Sequence, residues 1–467
     1  MLLLDEAARD KLWRKLGATL EAYVRGIAEH RVSPELDPAG LRRMLSEFDF
    51  REPRDPIAAV EWAAECLWRQ QVHTPHPRYY GLFNPAPTTM GIAADTLVAA
   101  FNPQMAAWSH SPFAAEVERH LVRTFGERFG YDASRTDGTF ASGGAEANHT
   151  ALLAALVNAF PLFGDEGVRA LKGDPVFYAS AESHHSFAKA AKLCGIGREA
   201  LRLVPVDDEL RMNVVALRAA IARDRTAGRL PFLLVATAGT TNAGAIDPLE
   251  EIASIAGDEK LWLHVDAAWG GAAALCARLR PLLDGIERAD SITFDAHKWL
   301  STPMGAGLFL TRHPDILDRT FRTVTAYMPK EAAGLDVVDP HLHSMQWSRR
   351  FIGLKVFLSL ASAGWEGYDA VISHMTEMGD LLRRELDLSD WETVNRTALP
   401  VVCFTDRRGS QPDRIVQRVV SSGEAWISTT LLAGSRMAIR ACITNYRTGE
   451  SDVRALVASL NRARSDS

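Results

Sequence analysis

Residues 291–300 read SITFDAHKWL. Ser291 to Phe294 alternate and are β-friendly, as a strand should be. The strand then runs into Asp295, His297 and Lys298, followed by a Ser/Thr/Pro/Gly loop and a second apolar run, GLFLT, at 307–311. Polar residues end strands in most proteins, and a lone lysine there is ordinarily solvated. An acid, an imidazole and an amine together at the end of a core strand require a reason from the rest of the chain.

Around this stretch, from Thr139 to Thr311, other short β-rich runs recur between helical ones: PVFYAS, LRLVPV, PFLLVATAGTT and LWLHVDAAW. Several are continuously apolar, which suits strands buried on both faces of a mainly parallel sheet with helices packed outside. The class is therefore α/β, and ligands of such sheets collect at the carboxyl ends of the strands. Residues 1–75 read as a helical segment: KLWRKLGATLEAYVRGIAEH and DPIAAVEWAAECLWRQQV repeat apolar residues at helical spacing across a Pro-containing polar connection. HTPHPRYYGLFNPAPTT breaks the pattern and marks a boundary. Residues 76–345 then form a large α/β domain. Residues 346–467 form a small α+β domain, with one long helix-like run from Phe351, strands at LPVVCFT and RMAIRACI, and a last helix.

In 467 residues, apolar residues make up 47% and charged ones 24%, the balance of a soluble globular protein. Net charge is −6 with dispersed Lys and Arg, so there is no electrostatic footprint for nucleic acid or an anionic membrane. The five cysteines are far apart, with neither a CxxC pair nor zinc-ligand spacing, and read as thiols in a reducing compartment. MLLLDEAARDKLW is too short in apolar residues for a signal-peptide core, so a cytoplasmic protein is expected. The N-x-T triplets at Asn148 and Asn395 are then chance matches to a glycosylation sequon.

Four strand ends combine into one constellation. TFASGGAEANHTALLAAL turns at Ser142-Gly143-Gly144 and enters an Ala/Leu-rich helix, where small residues and a helix start suit a phosphate; an ordinary glycine turn reads the same way. His184 and His185 stand just past a strand, where one imidazole could stack on a planar ligand or merely cap a helix. Asp266 ends LWLHVD, and a buried carboxylate needs a partner such as a protonated ring nitrogen, since extra metal ligands are missing nearby. Thr240 and Thr241 add hydroxyls at another strand end. A phosphate cradle, a stacking histidine, an acid for a pyridinium nitrogen and a Schiff-base lysine are the kit for pyridoxal 5'-phosphate. Lys298 then needs its rigid strand end to reach the cofactor aldehyde.

With these motifs in order from HPRYYGLFNPAP to RTGESDV, the chain resembles the group II pyridoxal-phosphate amino-acid decarboxylases, the family of aromatic-L-amino-acid and glutamate decarboxylases. The resemblance implies fold type I, like aspartate aminotransferase, and a homodimer with the active site at the interface and the helices of 1–75 wrapped around the partner. It implies that Lys298 forms the internal aldimine beside His297, Asp266 pairs with the pyridine nitrogen, and Ala268 lies beneath the ring near the Thr241 hydroxyl. His184 fits the stacking histidine by its H-x-S register, and Gly143, Gly144 and Ala145 fit the phosphate-binding turn. Tyr327, in TVTAYMPKEAAG, matches the loop tyrosine thought to protonate the carbon that loses CO2. Its presence beside His184 favours simple decarboxylation over the oxygen-using aldehyde synthases; an aminotransferase on the same fold, or a non-catalytic dimeric scaffold, is the alternative.

The resemblance has departures. Asp295 stands where the family usually has asparagine, and a carboxylate there would repel a phosphate dianion. Leu82, Phe83, Met105 and Ala106 fall where relatives line the side-chain pocket, yet Leu82 and Ala106 replace aromatic rings of the aromatic-specific members. An aromatic substrate is only slightly favoured over an aliphatic or acidic one. Arg349, Arg350 and Arg447 could hold a carboxylate, but structural salt bridges are commoner.

Overall fold

The computed structural model describes residues 2–323, 328, 329, 331, 332 and 334–465. Helix α1 (Glu6–Gly26) starts where the Asp5 carboxylate accepts the Ala8 N–H. The connection that follows is not all loop, because Asp37 caps a further helix, α2 (Pro38–Ser46), in the same way. Asp55 caps α3 (Pro56–Arg69), with Pro56 at the first helical position, where its missing N–H costs nothing. None of these three helices buries a residue, and Trp13, Leu20, Val24 and Leu67 remain exposed. Helix α1 is tied down by the Tyr23 hydroxyl, 3.0 Å from His73 Nδ1, and by its Val24 carbonyl, which accepts from Arg447 at 3.1 Å. Helices α4 (Thr89–Phe101) and α5 (Pro112–Arg128) lead into the central sheet.

Seven strands form that sheet: β1 (Asp137–Ala141), β2 (Pro175–Ser180), β3 (Leu201–Val204), β4 (Leu230–Thr237), β5 (Trp262–Asp266), β6 (Ser291–Asp295) and β7 (Gly307–Thr311). Their spatial order is β1-β7-β6-β5-β4-β2-β3. The five strands from β6 to β3 are parallel neighbours, and β7 is antiparallel to both β6 and β1. β1 therefore points the same way as the parallel set. Every residue of β5, β6 and β7 is buried, which is why these runs are apolar without alternation.

The two sheet faces close two separate cores. Leu234 and Ala236 face the core that includes α5 and the long C-terminal helix, whereas Leu233 and Val235 face the one built on α6 (Gly144–Ala159). The long helix, Gly353–Leu388, breaks once at Gly364, whose φ of +64° is a glycine conformation. Beyond it, β8 (Trp391–Thr393), β9 (Val401–Asp406), β10 (Ser428–Leu432) and β11 (Arg436–Cys442) make an antiparallel sheet in the order β10-β11-β9-β8. Among the described residues no single helix is long and apolar enough to cross a membrane.

Candidate active site

The carboxyl ends of β1, β4, β5 and β6 open on one cavity of about 340 Å³. At the β1 end, Ser142 gives its N–H and its hydroxyl to Glu146 Oε2, at 2.8 and 2.7 Å, and so ties down the turn into α6. No side chain caps the helix start at Gly143, and Gly143, Gly144 and Ala145 line the cavity. A Cβ on Gly144 would stand 2.9 Å from Asp295 Oδ2 and 3.1 Å from the Ala268 methyl. One on Gly307 would stand 2.6 Å from the Gly143 Cα. These two glycines let the turn approach the strand ends this closely.

Asp266, the last residue of β5, is buried. Its Oδ1 accepts the Ala268 N–H at 3.1 Å and its Oδ2 accepts an amide proton from Asn148 at 2.8 Å. Thr237, Thr241 and Ala268 line the same space. The sequence signalled Asp266, but Asn148 drew notice only as a chance sequon, because nothing in its neighbours says that the first turns of α6 face β5.

Asp295 ends β6 as a buried residue. Its Oδ2 lies 3.0 Å from Lys298 Nζ and 3.9 Å from His297 Nε2, while Oδ1 is buried without a hydrogen-bond partner among the described residues. His297 Nδ1 accepts the Ala306 N–H at 3.1 Å, which fixes the ring. Burial holds the His297 pKa below the ordinary imidazole value, and Lys298 lowers it further while Asp295 pulls the other way. His184, not His185, lines the cavity, and its Nδ1 accepts the Ser186 N–H at 3.2 Å. Loss of water around its ring lowers its pKa too, with Asp266 opposing and Lys298 adding to the shift.

Of the pocket residues expected from sequence, Phe83 comes nearest the amine. Its ring stacks on Trp269 with centroids 4.6 Å apart and lies 5.7 Å from Lys298 Nζ. Leu82 points outward and is 54% exposed, and Met105 and Ala106 are buried outside the cavity lining of this chain. Tyr327 lies outside the described residues. Arg349 is paired with Glu118, Arg350 donates to the Asp95 carbonyl and Arg447 to the Val24 carbonyl. An arginine that the sequence does not signal, Arg440, stands behind the cavity wall at Thr241. Arg440 is buried, its guanidinium is 5.0 Å from the Phe83 ring, and it donates to the carbonyls of Thr241 and Gly81 at 2.9 and 2.7 Å. Its Nη2 is buried without a partner. Only the close approach of β11 to the loop after β4 reveals it.

An uncapped helix start, a buried carboxylate, an imidazole and an amine around one cavity fit a phosphorylated pyridine aldehyde. Together with the sheet order they define a pyridoxal-phosphate enzyme of fold type I. The model of the pyridoxal-dependent decarboxylase conserved domain matches residues 38–407, and the chain belongs to this family. It is 33% identical over 429 residues to an aromatic-L-amino-acid decarboxylase of Bacillus atrophaeus, covering 89% of this chain and 87% of that one. Over 336 residues it is 36% identical to an L-2,4-diaminobutyrate decarboxylase of Rhizobium meliloti, covering 71% and 66% of the two chains. The crystal structure of mouse CSAD superposes with a TM-score of 0.91 at 25% identity, covering 98% of this chain and 99% of that one. The protein is thus a pyridoxal-phosphate-dependent carboxy-lyase of the amino-acid decarboxylase family.

Proposed function

We propose that this enzyme removes CO2 from an L-amino acid with an aromatic side chain and releases the amine. The observation that carries the aromatic reading is the Phe83 ring, stacked on Trp269 and set beside the Lys298 amine. Such a face favours a flat apolar side chain over an acidic or short one. The similarity to an aromatic-L-amino-acid decarboxylase supports the same choice.

Pyridoxal phosphate supplies the electron sink for the bond between Cα and the departing carboxylate. The residues of this chain bind and orient around that chemistry. The N–H groups at the start of α6 would hold the phosphate, and Asp266 would keep a proton on the ring nitrogen. His184 would pack against the ring and Lys298 would hold the cofactor, both from the cavity wall. Arg440 Nη2, the guanidinium nitrogen not given to the Thr241 or Gly81 carbonyl and without a partner among the described residues, is the group we assign to the substrate carboxylate. Tyr327 donates the proton that replaces CO2 on Cα. Trp269, backed by Phe83, and the glycine turn wall the cavity on the side where water would reach the reacting carboxylate.

The test is a panel of L-amino acids offered to the cofactor-loaded enzyme, with CO2 and product mass followed together. CO2 with the matching arylalkylamine is the expected result. An aldehyde with ammonia and peroxide would move the enzyme to the oxidative branch, dependence on a keto acid would make it an aminotransferase, and turnover confined to acidic or aliphatic substrates would overturn the aromatic reading.

The working unit is proposed to be a homodimer. The apolar residues left exposed on α1 and α3, Trp13 and Leu67 among them, supply surface that a second copy would cover. Sedimentation at decreasing concentration checks this, and monomers with full activity would refute it. The unpaired thiols support a reducing, cytoplasmic setting, which fractionation of cells expressing the tagged protein would test.

A further inference from the structure

Asp266 is gripped from behind by a buried chain of hydrogen bonds. Trp262 Nε1, which can only donate, points at Ser291 Oγ at 2.9 Å. Ser291 Oγ lies 2.8 Å from His264 Nδ1. His264 Nε2 lies 3.2 Å from Asn148 Oδ1 and 3.3 Å from Thr293 Oγ1. Asn148 Nδ2 then places its two protons on Asp266 Oδ2 at 2.8 Å and on Ser186 Oγ at 3.0 Å. All of these residues are buried, His264, Ser291 and Thr293 completely.

The geometry gives the chain a single sense. Turned over, the Asn148 amide would set its oxygen against the Asp266 carboxylate, two acceptors at hydrogen-bond distance, so the oxygen must face His264. His264 Nε2 must therefore carry a proton. Complete burial pushes the His264 pKa down to about 4, against a smaller opposing pull from Asp266. The ring thus holds one proton at neutral pH, and Nδ1 is left to accept from the Ser291 hydroxyl. Each link donates toward the next, and the last donates to Asp266. Facing Asp266 from the cavity are His184, from the segment after β2, and Lys298, His297 and Asp295, from the end of β6; Glu146 lies at the mouth on α6. None of them touches the relay.

We propose that Trp262, Ser291, His264 and Asn148 form a one-way donor relay that orients the Asp266 carboxylate toward the proton of the cofactor ring nitrogen. Asn148, His264 and Ser291 are positioning residues in this scheme. A hydrogen bond to an ionised acceptor is strengthened when its donor is itself polarised by the bond behind it. The proposal rests on the reading of Asp266 as the ring-nitrogen partner.

The test uses the holoenzyme, with nitrogen-15 in its histidines and in the ring of the cofactor, and reads both by magnetic resonance across pH. The relay requires His264 to be neutral with its proton on Nε2 at pH 7, and the cofactor nitrogen to be protonated. Ser291→Ala, remote from the cofactor, frees the tautomer and should move the ring-nitrogen titration by about one unit, or tenfold, toward acid; Ser291→Thr should restore it. A His264 proton on Nδ1, or a titration indifferent to Ser291→Ala, overturns the relay and leaves the Asp266 reading standing. An unprotonated ring nitrogen in the unaltered holoenzyme overturns both. The tautomer of the unaltered protein decides the matter even if Ser291→Ala does not fold.

Discussion

Lys298 Nζ and Asp295 Oδ2 are 3.0 Å apart, and the carboxylate is buried. The amine expected to bond to the cofactor is thus held in an ion pair beside the turn expected to receive its phosphate. The carboxylate holds the amine by charge and opposes a neighbouring dianion. Asp295→Asn keeps the shape and removes both effects, so cofactor-free protein should take up pyridoxal phosphate about tenfold more tightly. The absorbance of bound cofactor during titration measures this. Weaker uptake by the variant would show that the carboxylate assists loading.

Lys298→Ala should abolish turnover, by about 10³-fold or more, and should leave the cofactor removable by dialysis. Borohydride reduction followed by mass spectrometry should add a cofactor mass to the native chain and none to the variant. A retained adduct would place the covalent bond on another lysine.

Arg440→Met should cost about 100-fold in kcat/KM if the guanidinium holds the substrate carboxylate in a water-poor site. Arg440→Lys should recover little, because an ammonium lacks the planar fork that also grips the Thr241 and Gly81 carbonyls. Steady-state kinetics with an unchanged cofactor spectrum would isolate the substrate effect. An unchanged kcat/KM would return Arg440 to a purely structural role.

Gly144→Ala brings a methyl within 2.9 Å of Asp295 Oδ2 and 3.1 Å of the Ala268 methyl. The turn must then lift from the strand ends, and cofactor affinity should fall about tenfold while the melting temperature without cofactor changes little. Equilibrium dialysis and thermal melts together distinguish this from general misfolding.

Mild acidification should work on two buried groups with opposite signs. His264 is held down to about 4, so the unfolded chain takes up its proton near pH 6.5 while the folded one refuses it. Its contribution of about 3 kcal/mol is present above pH 6.5 and is lost as the pH drops to 4. Asp247 works the other way: burial raises it to about 6, so as the pH falls through that value the folded state gains relative to the unfolded one. Asp247→Asn removes this offset and should lose stability more steeply between pH 6.5 and 4 than the native chain. Urea midpoints across that range measure both slopes, and equal slopes would contradict the account.

The sequence made the buried strands legible because both faces of β4 to β7 demand apolar residues, and their polar ends then stood out. Lys298, Asp266 and the glycine turn were visible for that reason. Helix α2 escaped notice because only nine residues carry it and Arg and Pro interrupt its apolar face. Strands β8 and β10 were too short and too mixed in burial to give a period. Asn148 and Arg440 could not be found locally, since each owes its place to a neighbour far along the chain: Asn148 to β5, and Arg440 to the loop after β4.

The row Ala141, Gly307, Asp295 has a consequence for folding. Gly307 pairs with Ala141 on one side and Asp295 on the other, so the last residues of β1 and β6 are separated by two strand spacings, roughly 10 Å. Those two ends come from widely separated parts of the chain, and β7 is the piece that joins them. No fragment stopping before residue 307 can hold both, so the nascent chain has no complete cofactor seat until β7 has been made and inserted. Contacts of such long range form late, and vitamin capture should mark the completion of folding instead of guiding its course.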